Sequence, residues 1–304
     1  MNTPKVSIIM NCYNGERYLK NAIESIYKQS FQDWEIIFWD NCSTDSSAKI
    51  AKSYDNRLKY FIAPKKSILG EARYLAVSKC NSKYICFLDC DDEYLPDKLL
   101  LQYRMMESNN YALSCSQETL INDEGKNMIT PKIKIKSGYI FDKLLQQYQI
   151  GFQSVMIRRS VLENEKLSFK PFFTNFMDYD LFMRIASKHE IGVIRNPLIR
   201  HRITKDSLTS KAYERVSIEN KITLDDIFRD NPELKNKYKN EIKIAYEKLE
   251  YYDSIYLISI NDYKKAKDKL KLIIFKKIKY FLLYILLVLR INRYLIMRAL
   301  RRTS

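Results

Sequence analysis

The sequence VSIIMNCYNG at residues 6–15 indicates the class of fold, because an apolar, β-branched run passes directly into a polar turn. Val6–Met10 predicts a buried strand, and the apolar residues within Tyr18–Gln29 recur at helical spacing. The same alternation of strand and helix continues to about residue 110. Units of this kind are typical of an α/β protein with a doubly wound, mostly parallel sheet.

The other strands and helices are predicted from the same periodicities. The segments expected as strands are Trp34–Trp39, Leu58–Ile62, Tyr84–Leu88, Ala112–Gln117, Phe152–Arg158 and Ile191–Arg195. The segments expected as helices are Ser46–Tyr54, Glu71–Cys80, Pro96–Glu107 and Tyr179–Lys188, and the chain is expected to be helical from Ala212 almost to its end. Between Tyr111 and Asn196 the pattern is mixed, whereas the first 110 residues alternate regularly.

Three polar clusters follow strands of the predicted sheet: Asn11–Asn14, Asp40–Asp45 and Asp89–Asp92. One such cluster needs no functional explanation, since polar residues commonly end strands. Three clusters, two of them rich in carboxylates, indicate a ligand site, because ligands of such sheets bind at the carboxyl ends of the strands.

The segment Asp89–Asp92 holds three carboxylates in four residues. Like charges this close repel one another unless a cation or a hydrogen-bond network compensates them. Carboxylate oxygens suit Mg²⁺ or Mn²⁺ that is shared with substrate phosphates, although a solvated acidic turn is the alternative. The chain has neither GxGxxG nor a P-loop, so a nucleotide would be held mainly by other means, and a bridging divalent cation is the natural one.

A second acidic pair, Asp178 and Asp180, follows the aromatic segment Phe172–Met177. Apolar surroundings raise the pKa of a carboxyl group, which suits a general base. An Asp at this point would equally cap the helix expected at Tyr179–Lys188. Asp178 is expected to end the irregular segment and Asp180 to begin the helix. The residues alone leave both interpretations open.

The net charge of +16 is concentrated at the C-terminus. From Tyr263 to Ser304 there are 13 Lys and Arg and one acid, a net charge of +12, so the first 262 residues carry only about +4. A nucleic-acid-binding protein would carry its cations on the folded body, beside exposed aromatic residues. The distribution of charge therefore argues against a nucleic-acid partner.

All six cysteines lie in the first 115 residues, without a CxxC pair or a Cys/His cluster. This usage indicates reduced, mostly buried thiols in a cytoplasmic protein. The N-terminus runs directly into a strand, so we expect no cleavable signal peptide.

Five motifs together resemble the family 2 of inverting glycosyltransferases, which have the GT-A fold, in order and spacing over about residues 5 to 210. They are Val6–Asn14 (V-S-I-I-x-x-x-Y-N in the family), Asp40–Asp45 (D-D-G-S-T-D), Ala72–Tyr74 (A-R-N), Phe87–Asp92 (F-L-D-x-D-D) and Met177–Arg184 (E-D-x-D-L-x-x-R). The resemblance implies a catalytic domain at residues 1–210, with a nucleotide- and metal-binding half at 1–110 and an acceptor and base half at 111–210. A helical extension would follow at residues 211–304.

The resemblance also implies ligands and roles for single residues. The partners would be a nucleotide-sugar donor, a UDP-sugar by the family's usual preference, and a glycan or lipid-linked acceptor. The donor would contact Asn11, Cys12, Tyr13, Asp40, Arg73 and Asp89, with Tyr13 and Asp40 on the base and Asp89 on the ribose. Asp91 would ligate Mn²⁺ or Mg²⁺, and Asp178 would be the general base. One base without a protein nucleophile gives single displacement with inversion.

The chain departs from the family pattern at several positions. Asn11 stands where proline is common, Asn41 and Cys42 replace an Asp and a Gly, and Met177 replaces an acid. Thr204 occupies the position of a histidine that often binds metal or diphosphate in the family, and His201 lies three residues earlier. Either His201 replaces that ligand or the enzyme lacks it. These changes keep a second hypothesis open, a catalytically inactive GT-A module that binds a nucleotide or a partner.

Tyr280–Leu289 is a run of ten apolar residues with basic residues on both sides. As a helix it would be about 15 Å long, about half of the hydrocarbon core of a bilayer, so it should not cross a membrane. On one continuous helical wheel, Lys269, Lys276, Arg290 and Arg301 share a narrow sector. This favours an interfacial helix on anionic lipid over a core or dimer helix. We therefore expect a cytoplasmic protein, peripheral on the inner face of the cytoplasmic membrane.

Overall fold

The computed structural model describes residues 3–204 and 213–289. The chain divides into two compact units between Ser207 and Leu208. In the described residues the first unit is an α/β sheet with helices, and the second consists of helices.

The first four strands of the first unit form a parallel sheet in the order β3–β2–β1–β4. The strands are β1 (Val6–Cys12), β2 (Trp34–Asp40), β3 (Leu58–Ile62) and β4 (Tyr84–Phe87), and the helices between them are α1 (Glu16–Tyr27), α2 (Ser47–Ala51) and α3 (Leu69–Val77). One apolar core joins β1 and β2 to the buried stripe of α1, which includes Leu19 and Ile23. This half follows the predicted alternation of strand and helix.

Beyond β4 the sheet is mixed, which differs from the expectation of a mostly parallel sheet. The elements are β5 (Glu93–Tyr94), α4 (Lys98–Ser108), β6 (Leu113–Ile121), β7 (Asn127–Ile129), α5 (Phe141–Gln146), a 3₁₀ turn (Phe152–Ser154), β8 (Met156–Arg158), α6 (Arg159–Asn164), α7 (Met177–Ala186) and β9 (Ile191–Arg202). The sheet continues from β4 as β8–β6–β9–β5, with β7 on β6. Strand β8 is antiparallel to both of its neighbours, and β6 and β9 are parallel. Strand β8 comes later in the chain than β6 and lies between β4 and β6, so the mixed character begins with this inserted antiparallel strand.

Three strands differ from their predicted bounds by at least four residues. Strand β6 ends at Ile121 rather than at Gln117. The segment expected as a strand from Phe152 begins as a 3₁₀ turn, and only Met156–Arg158 is extended. Strand β9 does not end at Arg195 but runs to Arg202, so His201 lies inside a strand. The pairing of β9 with β6 shifts register opposite Pro197, and this irregularity lets the strand continue past a residue that cannot donate a ladder hydrogen bond.

The second unit is helical, as predicted. Its helices in the described residues are α8 (Tyr213–Asp230), α9 (Glu233–Lys237), α10 (Lys239–Ser259), α11 (Tyr263–Lys271) and α12 (Ile278–Val288). Side chains of α10, α11 and α12 form one apolar core, with Ile255, Leu270 and Leu283 among its members. None of the helices in the described part of the chain is both long and apolar enough to span a bilayer.

The sequence predicted that Lys269 and Lys276 lie on one face of a continuous tail helix, and this prediction is wrong. The chain leaves helical geometry between α11 and α12, and Lys277 is extended, with φ −147° and ψ 142°. Lys269 therefore does not share a helix with Lys276. Its ammonium group instead pairs with Glu250 and Asp253 of α10, at 2.9 and 3.1 Å. Arg290, Arg293 and Arg301 lie outside the described residues.

Gly70 of α3 allows that helix to pack closely on the segment before α7. Its N–H donates to the carbonyl of Phe173 (3.1 Å), and a Cβ atom here would lie 2.4 Å from that oxygen and 2.6 Å from the carbonyl oxygen of Lys170. We predict that Gly70→Ala lowers the free energy of unfolding by about 1–3 kcal/mol, because the backbone must move to admit the methyl group. Urea unfolding would measure this, with Tyr74→Ala, an exposed site on the same helix, as control. Equal stability of the Gly70→Ala and wild-type proteins would contradict the close packing.

Candidate active site

Strands β1 and β2 end side by side, which brings the first two polar clusters together. Cys12 and Asp40 are partners in the parallel ladder, and the N–H of Asn41 donates to the carbonyl of Cys12 at 2.8 Å. The N–H of Asn14 donates to the hydroxyl oxygen of Ser43 at 3.1 Å. The turn after β1 and the turn after β2 therefore form one structure at the carboxyl edge of the sheet.

Asp40 is buried, and both of its carboxylate oxygens have protein partners. One oxygen accepts the N–H of Ser43 (2.7 Å) and the other accepts the hydroxyl of Tyr60 (2.6 Å). Burial and this hydrogen bond raise the pKa of Tyr60. The carboxylate thus holds the turn after β2 in shape, and its predicted contact with a nucleotide base stays a prediction.

The two departures after Asp40 are accommodated by the turn. The side chain of Asn41 donates to the carbonyl of Ser67 (2.8 Å) and accepts the N–H of Ser67 (3.1 Å), which ties the turn to the segment before α3. Cys42 has φ 65°, the left-handed region that a glycine occupies at little cost. Its thiol donates to the carbonyl of Ala63 at 3.3 Å.

Tyr13 and Asn11 offer groups to a ligand at this edge. The Tyr13 side chain is 45% exposed, and the ammonium group of Lys66 lies 3.6 Å from the centre of its ring. The side-chain NH₂ of Asn11 is buried without a hydrogen-bond partner, an arrangement that is costly unless a ligand or water completes it. Both features suit the predicted donor-binding roles, which stay predictions.

The acidic loop after β4 is held by groups from three other elements. Asp89 accepts hydrogen bonds from Arg73 of α3 (3.2 Å) and from the side-chain amide of Gln153 (3.0 Å). The same Gln153 amide donates to Asp92. The backbone N–H of Arg202 also donates to Asp92 (2.7 Å), and its guanidinium donates to the carbonyl of Asp91 (2.9 Å). This network compensates part of the repulsion among the three carboxylates.

Asp91 differs from its neighbours because its carboxylate makes no hydrogen bond or ion pair with another residue in the described part of the chain, although the charges of His201 and Arg202 lie near it. Burial and the adjacent charge of Asp89 raise the pKa of its carboxyl group. In the described residues no three His, Cys, Asp or Glu side chains form a ready-made metal site. Asp89 and Asp91 still supply the hard oxygen donors that Mg²⁺ and Mn²⁺ prefer, and such ions usually share their coordination shell with substrate phosphates and water.

His201 of β9 lies against the carboxylate of Glu118, with 3.2 Å between Nδ1 and Oε2. Burial lowers the pKa of its imidazole, but the hydrogen bond to Glu118 and the nearby charge of Asp92 outweigh it and raise the pKa to about 10. The ring is therefore a cation at neutral pH in this structure. Metal ligation requires a neutral imidazole, so the predicted metal role of His201 would need loss of that proton and stays a prediction.

Asp178 and Asp180 both lie in the first turn of α7. Asp178 is therefore inside the helix, whereas the sequence predicted it at the end of the preceding irregular segment. Asp180 is fully buried and pairs with Lys170 (2.9 Å) and Arg184. Asp178 is half-buried, and burial raises the pKa of its carboxyl group, while the charge of Arg73 opposes the rise. The guanidinium of Arg73 also contacts the sulfur of Met177 at 3.1 Å. Of the two carboxylates, Asp180 is therefore enclosed by its ion pairs, whereas Asp178 is partly exposed.

Three residues of this site escaped the sequence analysis: Gln153, Arg202 and Lys66. Gln153 lies within a segment predicted as a strand, and Arg202 lies beyond Arg195, the predicted end of its strand. Their hydrogen bonds to the acidic loop join residues 61 to 111 positions apart in the chain. No local pattern carries such a signal.

A sheet with this strand order, carrying a carboxylate-rich loop at its parallel strand ends, is the arrangement of the GT-A fold of nucleotide-diphospho-sugar transferases. The crystal structure of S. aureus TarS residues 1–349 in complex with UDP-GlcNAc aligns with the chain at a TM-score of 0.60. The alignment covers 70% of this chain and 65% of that one, at 19% sequence identity, and supports the fold alone.

The chain belongs to glycosyltransferase family 2. The family profile "Glycosyl transferase family 2" matches residues 7–164, which contain four of the five motifs singled out above. The similar proteins include the UDP-Glc:alpha-D-GlcNAc-diphosphoundecaprenol beta-1,3-glucosyltransferase WfgD of Escherichia coli, 30% identical over 69% of this chain and 81% of WfgD.

An uncharacterized glycosyltransferase of Rickettsia conorii is 32% identical over 67% of this chain but only 34% of its own length. The chain thus spans about a third of that relative. The family profile lies within the α/β unit, so the comparisons establish the family and leave the activity of the whole protein to be proposed.

Gln153 provides a test of the network around the acidic loop. We predict that Gln153→Leu weakens UDP binding and lowers the free energy of unfolding by about 1.5–3 kcal/mol, because hydrogen bonds to two carboxylates are lost. Isothermal titration calorimetry and urea unfolding would measure the two effects. Gln149→Leu, whose side chain accepts only the N–H of Lys134 among the bonds described, is the control. Unchanged UDP affinity in Gln153→Leu would contradict a positioning role.

Proposed function

We propose that the chain transfers a sugar from a UDP-sugar to a glycan or lipid-linked acceptor, with inversion at the anomeric carbon. The observation that carries the proposal is the half-buried Asp178 with a raised pKa, placed next to the Arg73–Asp89 pair. The relatives support the substrate classes. TarS was crystallised with UDP-GlcNAc, and the name of WfgD specifies UDP-Glc and a diphosphoundecaprenol acceptor.

The donor would lie along the carboxyl edge of β1, β2 and β4. The exposed face of Tyr13 would stack on the uracil ring, and the unpartnered NH₂ of Asn11 would donate to the nucleotide. Cys12 would contribute its backbone at the strand end, and Asp40 would keep the turn in position. Asp89, half-exposed beside Arg73, would accept a hydrogen bond from the ribose.

The acidic loop fits Mg²⁺ or Mn²⁺, which Asp91 would hold together with the donor diphosphate. The basis is the carboxylate of Asp91. Burial and the charge of Asp89 disfavour its ionised form, and no other described residue makes a hydrogen bond or ion pair with it. When bound, the ion would neutralise charge that develops on the leaving diphosphate. Arg73 and the imidazolium of His201 would supply further positive charge near the same group.

Asp178 would take the proton from the attacking acceptor hydroxyl. A base must be ionised at the working pH, and the charge of Arg73 favours the ionised form while burial raises its proton affinity. Asp180 cannot replace it, because its carboxylate is fully buried between Lys170 and Arg184.

The inactive GT-A module remains the second hypothesis, and donor hydrolysis or transfer would distinguish the two. Asn41, one of the departures that keep it open, has a structural explanation, because its side chain makes hydrogen bonds that hold the turn after β2. The active enzyme is therefore the better supported proposal.

We predict that Asp178→Asn lowers kcat by about 10²–10⁴-fold, because proton abstraction is lost, and leaves the Kd for the donor nearly unchanged. Turnover with a working acceptor and calorimetric donor binding would measure this. Asp180→Asn is the matched control on the same helical turn. It should reduce stability through its ion pairs and have a smaller effect on kcat than Asp178→Asn.

The pH dependence gives a second measurement on the same residue. Since the folded pKa of Asp178 is raised above the ordinary 3.8, its acidic form persists to a higher pH. The rate should therefore fall as the pH decreases through a value above 3.8, and Asp178→Asn should remove this acidic limb. Near-normal turnover of Asp178→Asn would place the base elsewhere.

We predict that Asp91→Ala abolishes the strengthening of UDP binding by Mn²⁺ or Mg²⁺, because the carboxylate that would hold the ion is removed. Calorimetric titration of UDP with the metal and with a chelator would measure the difference. Asp97→Ala, at an exposed carboxylate before α4, should keep the metal dependence of the wild type. Full metal-dependent binding by Asp91→Ala, or undiminished wild-type turnover in chelator, would reject the metal site.

A further inference from the structure

Helix α12 presents apolar side chains on two opposite faces. One face, which includes Tyr280, Leu283 and Leu287, is buried in the core of the second unit. On the opposite face Ile278, Leu282 and Leu289 are 73%, 54% and 64% exposed. At 100° per residue these three positions lie within about 40° of one another. A helix that is apolar all round is normally covered on every side, so the exposed face of α12 implies an apolar partner.

The exposed apolar surface extends into the turn before α12. Leu272 is 69% exposed and Phe275 is 90% exposed. We refer to Leu272, Phe275, Ile278, Leu282 and Leu289 as the docking face. Single exposed apolar residues are ordinary, but five within 18 residues of sequence indicate an interaction surface.

Lysines accompany the docking face. Lys271, Lys276, Lys277 and Lys279 are all exposed, and Lys277 has no ion pair among the described residues. Lys271 pairs with Asp268 at 3.5 Å, Lys276 approaches Glu247 only at 4.0 Å, and Lys279 lies over the ring of Tyr251 at 4.5 Å. The surface therefore combines apolar side chains with positive charge that few carboxylates offset.

The ammonium group of Lys248 in α10 lies within the positive potential of these lysines. Burial lowers the pKa of its ammonium group to about 8, and the charges of Lys277 and Lys279 add to the effect. Burial and the charge of Lys277 likewise lower the pKa of Lys279. Like charges this close favour the binding of an anionic partner.

We propose that the docking face binds the surface of an anionic phospholipid bilayer, with its apolar side chains at the acyl boundary and its lysines among the headgroup phosphates. Helix α12 has 11 residues and is about 16 Å long, too short to span the bilayer, so it lies in the interface. A symmetric contact between two copies is disfavoured, because it would bring the same lysines of both copies together. The proposal does not depend on the glycosyltransferase activity proposed above.

The test is co-sedimentation of the full chain with vesicles of phosphatidylglycerol mixed with phosphatidylcholine, and with vesicles of phosphatidylcholine alone. The first variant replaces apolar residues of the docking face: Phe275→Ser, Ile278→Ser and Leu282→Ser. The second replaces lysines: Lys276→Gln, Lys277→Gln and Lys279→Gln. The controls are Met128→Ser with Ile129→Ser, similarly exposed residues of β7, and Lys239→Gln with Lys243→Gln, exposed residues of α10.

Wild-type protein should bind the anionic vesicles, and added salt should weaken the binding. We expect the partition coefficient to fall by about fivefold for each lysine removed. It should fall at least about tenfold in the apolar variant, and neither control should change it. Thermal unfolding and UDP affinity should match the wild type in both variants, which separates membrane docking from folding and from donor binding.

Three results would overturn the proposal. The first is undiminished vesicle binding by the apolar variant, and the second is equal wild-type binding to anionic and neutral vesicles. The third is a wild-type dimer in analytical ultracentrifugation that the apolar variant converts to a monomer, since the docking face would then be an interface between copies. A failure of sugar transfer with intact vesicle binding would count against the proposed function and leave the docking face standing.

Discussion

The hydrogen bonds of Arg202 to the acidic loop are the interaction on which the site depends. Its backbone N–H binds Asp92, and its guanidinium binds the carbonyl of Asp91, the carboxylate of Glu93 and two carbonyls of the turn after β6. Three carboxylates within four residues repel one another, and a planar cation with five donors can offset this while fixing the backbone between them. Arg202 is only 4% exposed, so these bonds form away from bulk water and are less screened.

A second cation connects the acidic loop to the candidate base. Arg73 is buried, pairs with Asp89, lies 3.5 Å from the ring centre of Phe152 and contacts the sulfur of Met177. Its charge opposes the rise in the pKa of Asp178 that burial causes. One guanidinium on α3 therefore acts on a carboxylate at the end of β4 and on another in α7. The close packing of Gly70 against the segment before α7 keeps these elements together.

The two halves of the sheet show why one part of the fold was predictable. Strands β1 to β4 are linked by helices, and each strand or helix has the apolar periodicity of its own conformation, so local sequence is sufficient. The second half depends on pairings such as β8 between β4 and β6, and on the register shift that carries β9 past Pro197. The three-residue strand β8 and the irregular ladder of β9 leave no clear hydrophobic periodicity in the sequence. The break before α12 has the same character, because the turns at residues 272–276 and the extended Lys277 interrupt a segment whose sequence favours helix.

The sequence by itself determined the strand and helix alternation of the first 110 residues, the three polar clusters and the family, because these rest on local periodicity and on short motifs of fixed spacing. By resemblance it named Asp178 rather than Asp180 as the base, although the residues alone gave no physical reason for that choice, since both are acids near a helix start. The tertiary structure supplies such a reason, because it encloses Asp180 between Lys170 and Arg184 and leaves Asp178 half-buried beside Arg73. It alone also brought Gln153 and Arg202 to the acidic loop, because burial and hydrogen bonding between residues far apart in the chain are set by how the sheet assembles.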